Sequence, residues 1–267
     1  MVGHPQMSHI ITLTTDFGYK DPFTAEMKGV ILSLNSLSII VDITHGIEPF
    51  NILEAAFVIG SSFKYFPSGT VHIVVVDPGV GSDRRSIIIE AGDHFFVGPD
   101  NGVFSAILQG ASSTKCFHIA NQAYMLAKES PTFQGRDIFA PVAAWLLKGI
   151  SASDVGSEIS DPTVIIIPRP SMTSEGISGE VIYRDQFGNA ITNITAGDLE
   201  PLGNHYTVQI KEYHFIPVNH YAQSSPGSLC CLVNSSGHLE IFTSRNNASR
   251  LFGIGKGDAV FVRPVMA

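Results

Sequence analysis

The sequence predicts an α/β protein. An N-terminal, mostly parallel α/β sandwich domain (residues 8–168) is followed by a smaller C-terminal β-barrel domain (residues 176–265). Three observations lead there. Strand-like and helix-like runs alternate from Ile10 to Leu147, the rhythm of a parallel sheet with helices on its faces. A turn-rich stretch, Pro168 to Gly176, interrupts that rhythm. Beyond it come closely spaced short β-like runs with no strong helix, the pattern of a small barrel or sandwich.

Met1 to Ser8 reads as a short start without an element. Ile10–Leu13 is an apolar strand ending in the loop Thr14-Thr15-Asp16-Phe17-Gly18. Asp21 is expected to cap a helix that has Pro22 at its first position. Phe23, Met27, Val30, Ile31 and Leu34 then share one helical face. Ile39–Val41 is the next strand. Asn51-Ile52-Leu53-Glu54 has capping-box spacing and opens a helix to about Tyr65. Val71 to Val75 is rich in β-formers and leads to Asp77. Ser86–Glu90 and His94–Val97 form a hairpin about Gly92-Asp93. Pro99-Asp100-Asn101-Gly102 is a loop before Val103–Leu108, and Arg136-Asp137 opens a helix to about Leu147. The later strands are Gly179–Tyr183, Ala190–Ile194, Tyr206–Ile210, His214–Val218, Leu229–Val233, His238–Phe242 and Ala259–Val262.

Composition limits the function classes. The chain has 267 residues, 44% hydrophobic and only 15% charged, which suggests extensive burial, subunit interfaces included. The net charge of -8 without a basic stripe speaks against nucleic acid as partner. No apolar run approaches the ~18 residues that cross a bilayer, and no segment reads as a signal peptide. Cys116, Cys230 and Cys231 are odd in number and two are adjacent, which argues against a disulfide framework. A cytoplasmic protein without membrane contact is expected.

Several residues have the chemistry of a site. Asp77 ends a strand where open α/β sheets bind ligands, and Arg84 and Arg85 return across a Gly/Pro loop. A carboxylate and a guanidinium so spaced can face each other over a reacting water; a turn-capping Asp77 beside a solvated arginine fits the spacing equally. Asp16, Asp21, Asp77, Asp100 and Asp137 read as a magnesium set or as separate caps and loop residues. Without an Asp-x-Asp pair, no metal and no cofactor is expected. Asp16 can accept both hydroxyls of a ribose, or cap its loop. In Asp185-Gln186-Phe187-Gly188-Asn189, Phe187 and Asn189 can stack on and hydrogen-bond a purine; a β-turn with a core phenylalanine is the alternative.

Six motifs occur in order: Thr14-Thr15-Asp16-Phe17-Gly18, Asp42-Ile43-Thr44-His45, Val76-Asp77-Pro78-Gly79-Val80-Gly81, Gly98-Pro99-Asp100-Asn101-Gly102, Gly135-Arg136-Asp137-Ile138-Phe139-Ala140-Pro141 and Phe187-Gly188-Asn189. Together they closely resemble the S-adenosyl-L-methionine (SAM) hydroxide adenosyltransferases, or SAM hydrolases, relatives of the fluorinating and chlorinating SAM enzymes. The resemblance implies attack of water on ribose C5′ of SAM, giving adenosine and L-methionine. It also implies a homotrimer with sites at subunit interfaces. Asp16 then matches the ribose carboxylate and Phe50 an aromatic wall beside the ribose. Asp21, Asp185 and Ser235 match positions that hold the methionine ammonium and carboxylate. Phe187 and Asn189 match the adenine contacts, and Asn247 and Ala248 lie in a loop whose backbone meets the adenine edge.

Asp77 and Arg84 match two members of an Asp-Arg-His water-activating set. The third position departs from that pattern: Gln134 stands where a histidine precedes Gly-Arg-Asp, and Gln134 cannot titrate. The sulfur leaves as a neutral thioether, so no general acid is needed. On that resemblance Asp77 is expected to orient water and accept its proton, while Arg84 stabilises developing hydroxide. Two rivals are a SAM- or adenosine-binding module with weak or lost catalysis, which Gln134 would explain, and a metal-dependent phosphohydrolase built on the acids.

Overall fold

A computed structural model of the chain describes residues 9–127, 130–203 and 205–265, which leaves Met1 to Ser8 outside the described residues. The chain forms two compact units that divide between Ile167 and Pro168.

The first unit contains strands β1 (Ile10–Thr15), β2 (Ile39–Thr44), β3 (Val71–Val75), β4 (Ser86–Ala91), β5 (His94–Pro99), β6 (Thr114–Ile119) and β7 (Gly156–Ile159). Its helices are α1 (Phe23–Leu34), α2 (Ile52–Ser62), α3 (Ser105–Gly110), α4 (Ala140–Leu147) and α5 (Ala152–Val155). The sheet order is β2-β1-β3-β5-β4-β6-β7. The first four strands are mutually parallel, and β4, β6 and β7 continue the sheet antiparallel.

Strand alternation divides the core. Ile73 and Val75 join the cluster under α1 and α4, with Met27, Ile31 and Val142. Val74 and Val76 join the opposite cluster, with Ala55 and Ile59 of α2 and Ile107 of α3. A strand buried on both faces needs such a continuous apolar run, and helices cover both faces of the sheet.

Several expected boundaries move. Pro22, not Asp21, is the boundary residue of α1, because its carbonyl accepts the first helical N–H, from Glu26, at 2.9 Å. Asp21 is one residue too early to cap. Phe23 is 40% exposed rather than on the buried face, since it stands at the helix mouth. Asn51 does cap α2, accepting from the Glu54 N–H at 3.0 Å. The helix expected to open at Arg136-Asp137 instead begins with a π-helical turn, Gly135–Phe139, that runs into α4. Strands β6 and β7 had no turn signal strong enough to be read.

The second unit holds strands β8 (Ser171–Thr173), β9 (Gly176–Arg184), β10 (Ala190–Thr195), β11 (Tyr206–Ile210), β12 (Tyr213–Phe215), β13 (Leu229–Val233), β14 (His238–Thr243) and β15 (Ala259–Pro264). Two short helices, α6 (Ala196–Leu199) and α7 (Ala248–Phe252), complete it. The order β12-β11-β15-β9-β10-β14-β13 is antiparallel throughout, and a Pro217–Cys231 bridge nearly closes it into a barrel. Long β9 pairs with β15 through its first half and with β10 through its second. Ile177, Val181, Val208, Leu239 and Val260 fill the interior. The turn-rich stretch between the two predicted domains carries β8, paired to β9. The strand expected at His214–Val218 is the shorter β12, because Pro217 cannot donate to a ladder.

Candidate active site

The carboxyl ends of β1 and β3 open onto a cleft of about 320 Å³ in the first unit. Asp16, Phe50, Asp77 and Gln134 line it, with Phe17, Phe23, Val80 and Phe133. Chain connectivity explains the convergence: parallel strands release their following loops at one sheet edge.

Asp77 lies two residues past the end of β3. Val80 N–H bonds back to the Asp77 carbonyl at 3.3 Å and Ser82 N–H to that of Gly79 at 3.0 Å, so two overlapping turns reverse the chain. Gly81 makes this possible. Its φ is +82°, and a Cβ there would stand 2.7 Å from the Pro131 carbonyl oxygen. Arg84 returns onto Asp77, donating from Nε to Oδ1 at 2.9 Å and from Nη2 to Oδ2. Both side chains are nearly buried, 4% exposed for Asp77 and 9% for Arg84. Of the two arginines in the motif, Arg84 therefore faces Asp77. Arg85 turns to Asp100 and Asp161, at 2.7 and 2.8 Å.

Gln134 stands just before the π-helical turn, and its Oε1 accepts from Arg84 Nη2. Buried Asp137 accepts from Arg136 and from the Ser130 N–H, and Arg136 reaches Glu26 of α1 at 2.8 Å. Asp137 therefore anchors the turn and does not cap the helix. The aromatic walls Phe17, Phe23 and Phe133 meet edge to face at 5.2 to 5.9 Å between centroids. The sequence reading overlooked these walls. Their one signal was adjacency: Phe17 and Phe133 each neighbour a residue singled out for chemistry.

Asp16 sits on the loop after β1. Its Oδ2 accepts the Phe50 N–H at 2.9 Å, and desolvation raises its carboxyl above the ordinary range. Phe50 holds φ +68°, a left-handed conformation costing on the order of 1–2 kcal/mol for a non-glycine residue. Beneath the loop, Thr15 Oγ1 and His45 Nδ1 bond at 2.8 Å, and His45 lies 3.1 Å from Asp42. Burial keeps His45 below its usual range, hence neutral near pH 7. Asp21 is exposed and does not line the cleft.

Three of the five acids that a metal reading would group are paired separately: Asp77 with Arg84, Asp100 with Arg85, Asp137 with Arg136. Among the described residues, no three His, Cys, Asp or Glu side chains converge. Nor is any helix among them long and apolar enough to cross a membrane.

Comparison with known proteins agrees with these features. The N-terminal domain of the SAM hydroxide adenosyltransferases matches residues 11–156, and the C-terminal domain of the same family matches residues 179–261. The chain belongs to the SAM hydroxide adenosyltransferase family. Two SAM hydroxide adenosyltransferase relatives, each named (R)-S-adenosyl-L-methionine hydrolase, come from Salinispora tropica and Methanocaldococcus jannaschii. Both are 35% identical over 94% of this chain, covering 97% and 94% of their own lengths. An uncharacterized conserved protein of Thermotoga maritima has a crystal structure that aligns with a TM-score of 0.90 at 34% identity, covering 95% of this chain and 99% of that one.

The second unit presents the other candidate residues. Asp185 Oδ1 accepts from the Phe187 and Asn189 N–H groups at 2.9 and 2.8 Å, and Oδ2 from Asn189 Nδ2 at 3.0 Å. The β-turn is real, but Phe187 is 77% exposed, so the core-phenylalanine alternative falls. Asn189 is buried and its amide N–H₂ donates to Asp185, which leaves its carbonyl oxygen as an acceptor. Asn247 caps α7 by accepting from Arg250 N–H at 2.7 Å, and buried Ala248 follows. Gly188, at φ +84°, leaves room for Asn247, which any Cβ there would strike at 2.1 Å. Ser235 is exposed on the turn between β13 and β14. Asn234, at the base of that turn, donates to buried Glu240 at 3.1 Å.

Proposed function

We propose that this protein hydrolyses SAM to adenosine and L-methionine. The observation that carries the reading is the Asp77–Arg84–Gln134 cluster at the floor of the cleft, in a chain whose relatives are named for that hydrolysis. A water oxygen attacks ribose C5′, and the C5′–S bond breaks. The bonding pair stays on sulfur, which leaves as the neutral thioether of methionine. The water proton passes to Asp77 and then to solvent, so the balance is SAM cation plus water to adenosine, methionine and a proton. Arg84 cannot act as base, because its guanidinium stays protonated.

Asp16 is proposed to hold the ribose diol beside the Phe50 ring. Asp21, Asp185 and Ser235 would hold the methionine ammonium and carboxylate. Phe187, Asn189, Asn247 and Ala248 would meet adenine. The residues divide between an α/β part (8–168) with the water-activating, ribose and methionine loops and a barrel part (176–265) with the adenine and methionine loops. A homotrimer with sites at subunit interfaces fits this split and the exposed Phe50 and Phe187 rings. The setting proposed is cytoplasmic, with no metal or cofactor and no nucleic-acid or membrane partner. The relatives' name specifies the R epimer at sulfur, and the same preference is proposed here.

The test incubates purified protein with resolved R and S epimers of SAM and chelator, and separates the products. Adenosine and methionine in equal amounts, faster from R, are expected. Methylthioadenosine as main product overturns the reading, because it requires attack at a different carbon. A binding module with lost catalysis would retain adenosine and release no product.

A further inference from the structure

The guanidinium of Arg84 is fully occupied by protein. Nε and one Nη2 N–H go to Asp77, and the other Nη2 N–H goes to Gln134 Oε1. Nη1 donates to the Arg85 carbonyl at 3.2 Å and to Ser86 Oγ at 3.3 Å. An arginine side chain has only five N–H donors, so none is left for a nucleophile. Arg84 contributes positive charge and clamps its neighbours, without donating a hydrogen bond to hydroxide.

The orientation of Gln134 follows from this. Guanidinium groups only donate, so the amide atom facing Arg84 must be the carbonyl oxygen. Buried Ser86, at the start of β4, supports the same orientation by donating from Oγ to Oε1 at 3.4 Å. Nε2 is then turned away from both. It meets no hydrogen-bond acceptor among the described residues, while Gln134 lines the cleft beside Asp77.

We infer that Ser86 is a positioning residue that locks the Gln134 amide, and that Gln134 Nε2–H, not Arg84, donates to the attacking water while Asp77 accepts its proton. This rests on the hydrolysis proposed above and assigns the polarity of its water site. The water receives one hydrogen bond from Gln134 and gives one to Asp77, which lines the cleft and keeps acceptor capacity beyond its two hydrogen bonds from Arg84. Such a donor also follows the charge that develops as water becomes hydroxide.

The test measures kcat and KM for SAM with melting temperature in wild type and four variants. Gln134→Glu keeps an oxygen toward Arg84 but replaces the N–H₂ donor with an acceptor, and kcat should fall on the order of 10²–10³-fold with KM little changed. Ser86→Ala frees the amide to turn, and kcat should fall roughly three- to ten-fold at unchanged KM. Ser86→Thr, which keeps the hydroxyl, should restore the rate. Because Ser86 acts through Gln134, adding Ser86→Ala to Gln134→Glu should cost little more. A Gln134→Glu enzyme as fast as wild type overturns the assignment, and so does a fully additive pair. A wild-type protein that leaves SAM intact overturns the hydrolysis reading as well, which separates the two failures.

Discussion

Asp77 and Gln134 divide the work at the floor of the cleft, and their substitutions separate the two roles. Asp77→Asn keeps the hydrogen bonds to Arg84 in part but removes the proton acceptor, and kcat should fall about 10²–10⁴-fold. Gln134→His should preserve or raise activity. A neutral imidazole pairs one acceptor with one N–H donor, the same polarity as the amide. Its rate should drop below pH ~6.5, where imidazolium can no longer accept from Arg84, and wild type should show no such drop from this position. Abolished activity in Gln134→His would argue for a reaction other than hydrolysis. At Asp16 the expectation concerns binding. Asp16→Ala leaves ribose hydroxyls unpaired, so adenosine affinity by calorimetry should weaken about ten- to hundred-fold. An unchanged affinity would remove the ribose assignment. The positions of Asp16 and Asp77 were legible because both stand in loops at strand ends, whereas Gln134 stood out only by preceding Gly-Arg-Asp at the mouth of a helix. Spacing alone did not tell which arginine faces Asp77, since Arg84 and Arg85 are adjacent and the turn at Gly81 decides between them; only the family resemblance pointed to Arg84.

At the level of elements, apolar alternation and Gly/Pro breaks were enough to place most strands and the helix beginning at Asn51. Cap positions were harder, because Pro22 and Asp21 compete for one boundary and the π-helical turn has no periodicity of its own. Strand β3 also carries an unforeseen feature. His72 is fully buried, bonded to Thr12 Oγ1 at 2.7 Å and near His94 Nδ1 at 3.2 Å, and it stacks on Phe96. Burial, with a smaller contribution from His94, pushes its pKa down to about 3 from 6.5. The folded chain therefore excludes a proton that the unfolded chain takes up. Stability from this group is complete above pH ~6.5 and is lost as pH falls toward 3, by about 2 kcal/mol at pH 5. Thermal melts at pH 7 and pH 5 should show a clearly smaller difference in His72→Gln than in wild type. Equal differences would mean that His72 does not set the acid sensitivity.

For the whole molecule, the two-part organisation was readable because Pro168 to Gly176 breaks one rhythm and starts another. The pairing of β8 inside that segment was not, since three residues carry too little pattern. Assembly is the expectation that remains open to a single measurement. Light scattering should give three times the 28.7 kDa chain mass, and a fully active monomer at micromolar concentration would contradict the shared-site proposal. The direction of the parallel strands has a practical corollary. Asp77 leaves β3 at its carboxyl end, whereas the Gly92-Asp93 turn enters β5, parallel to β3, at the opposite edge. Six extended residues of β5 separate that turn from the cleft edge, about 20 Å at ~3.3 Å each. A surface tether or fluorophore attached at this exposed turn, at Asp93 rather than at Gly92 with its φ of +57°, would hold the first unit by the edge opposite the cleft.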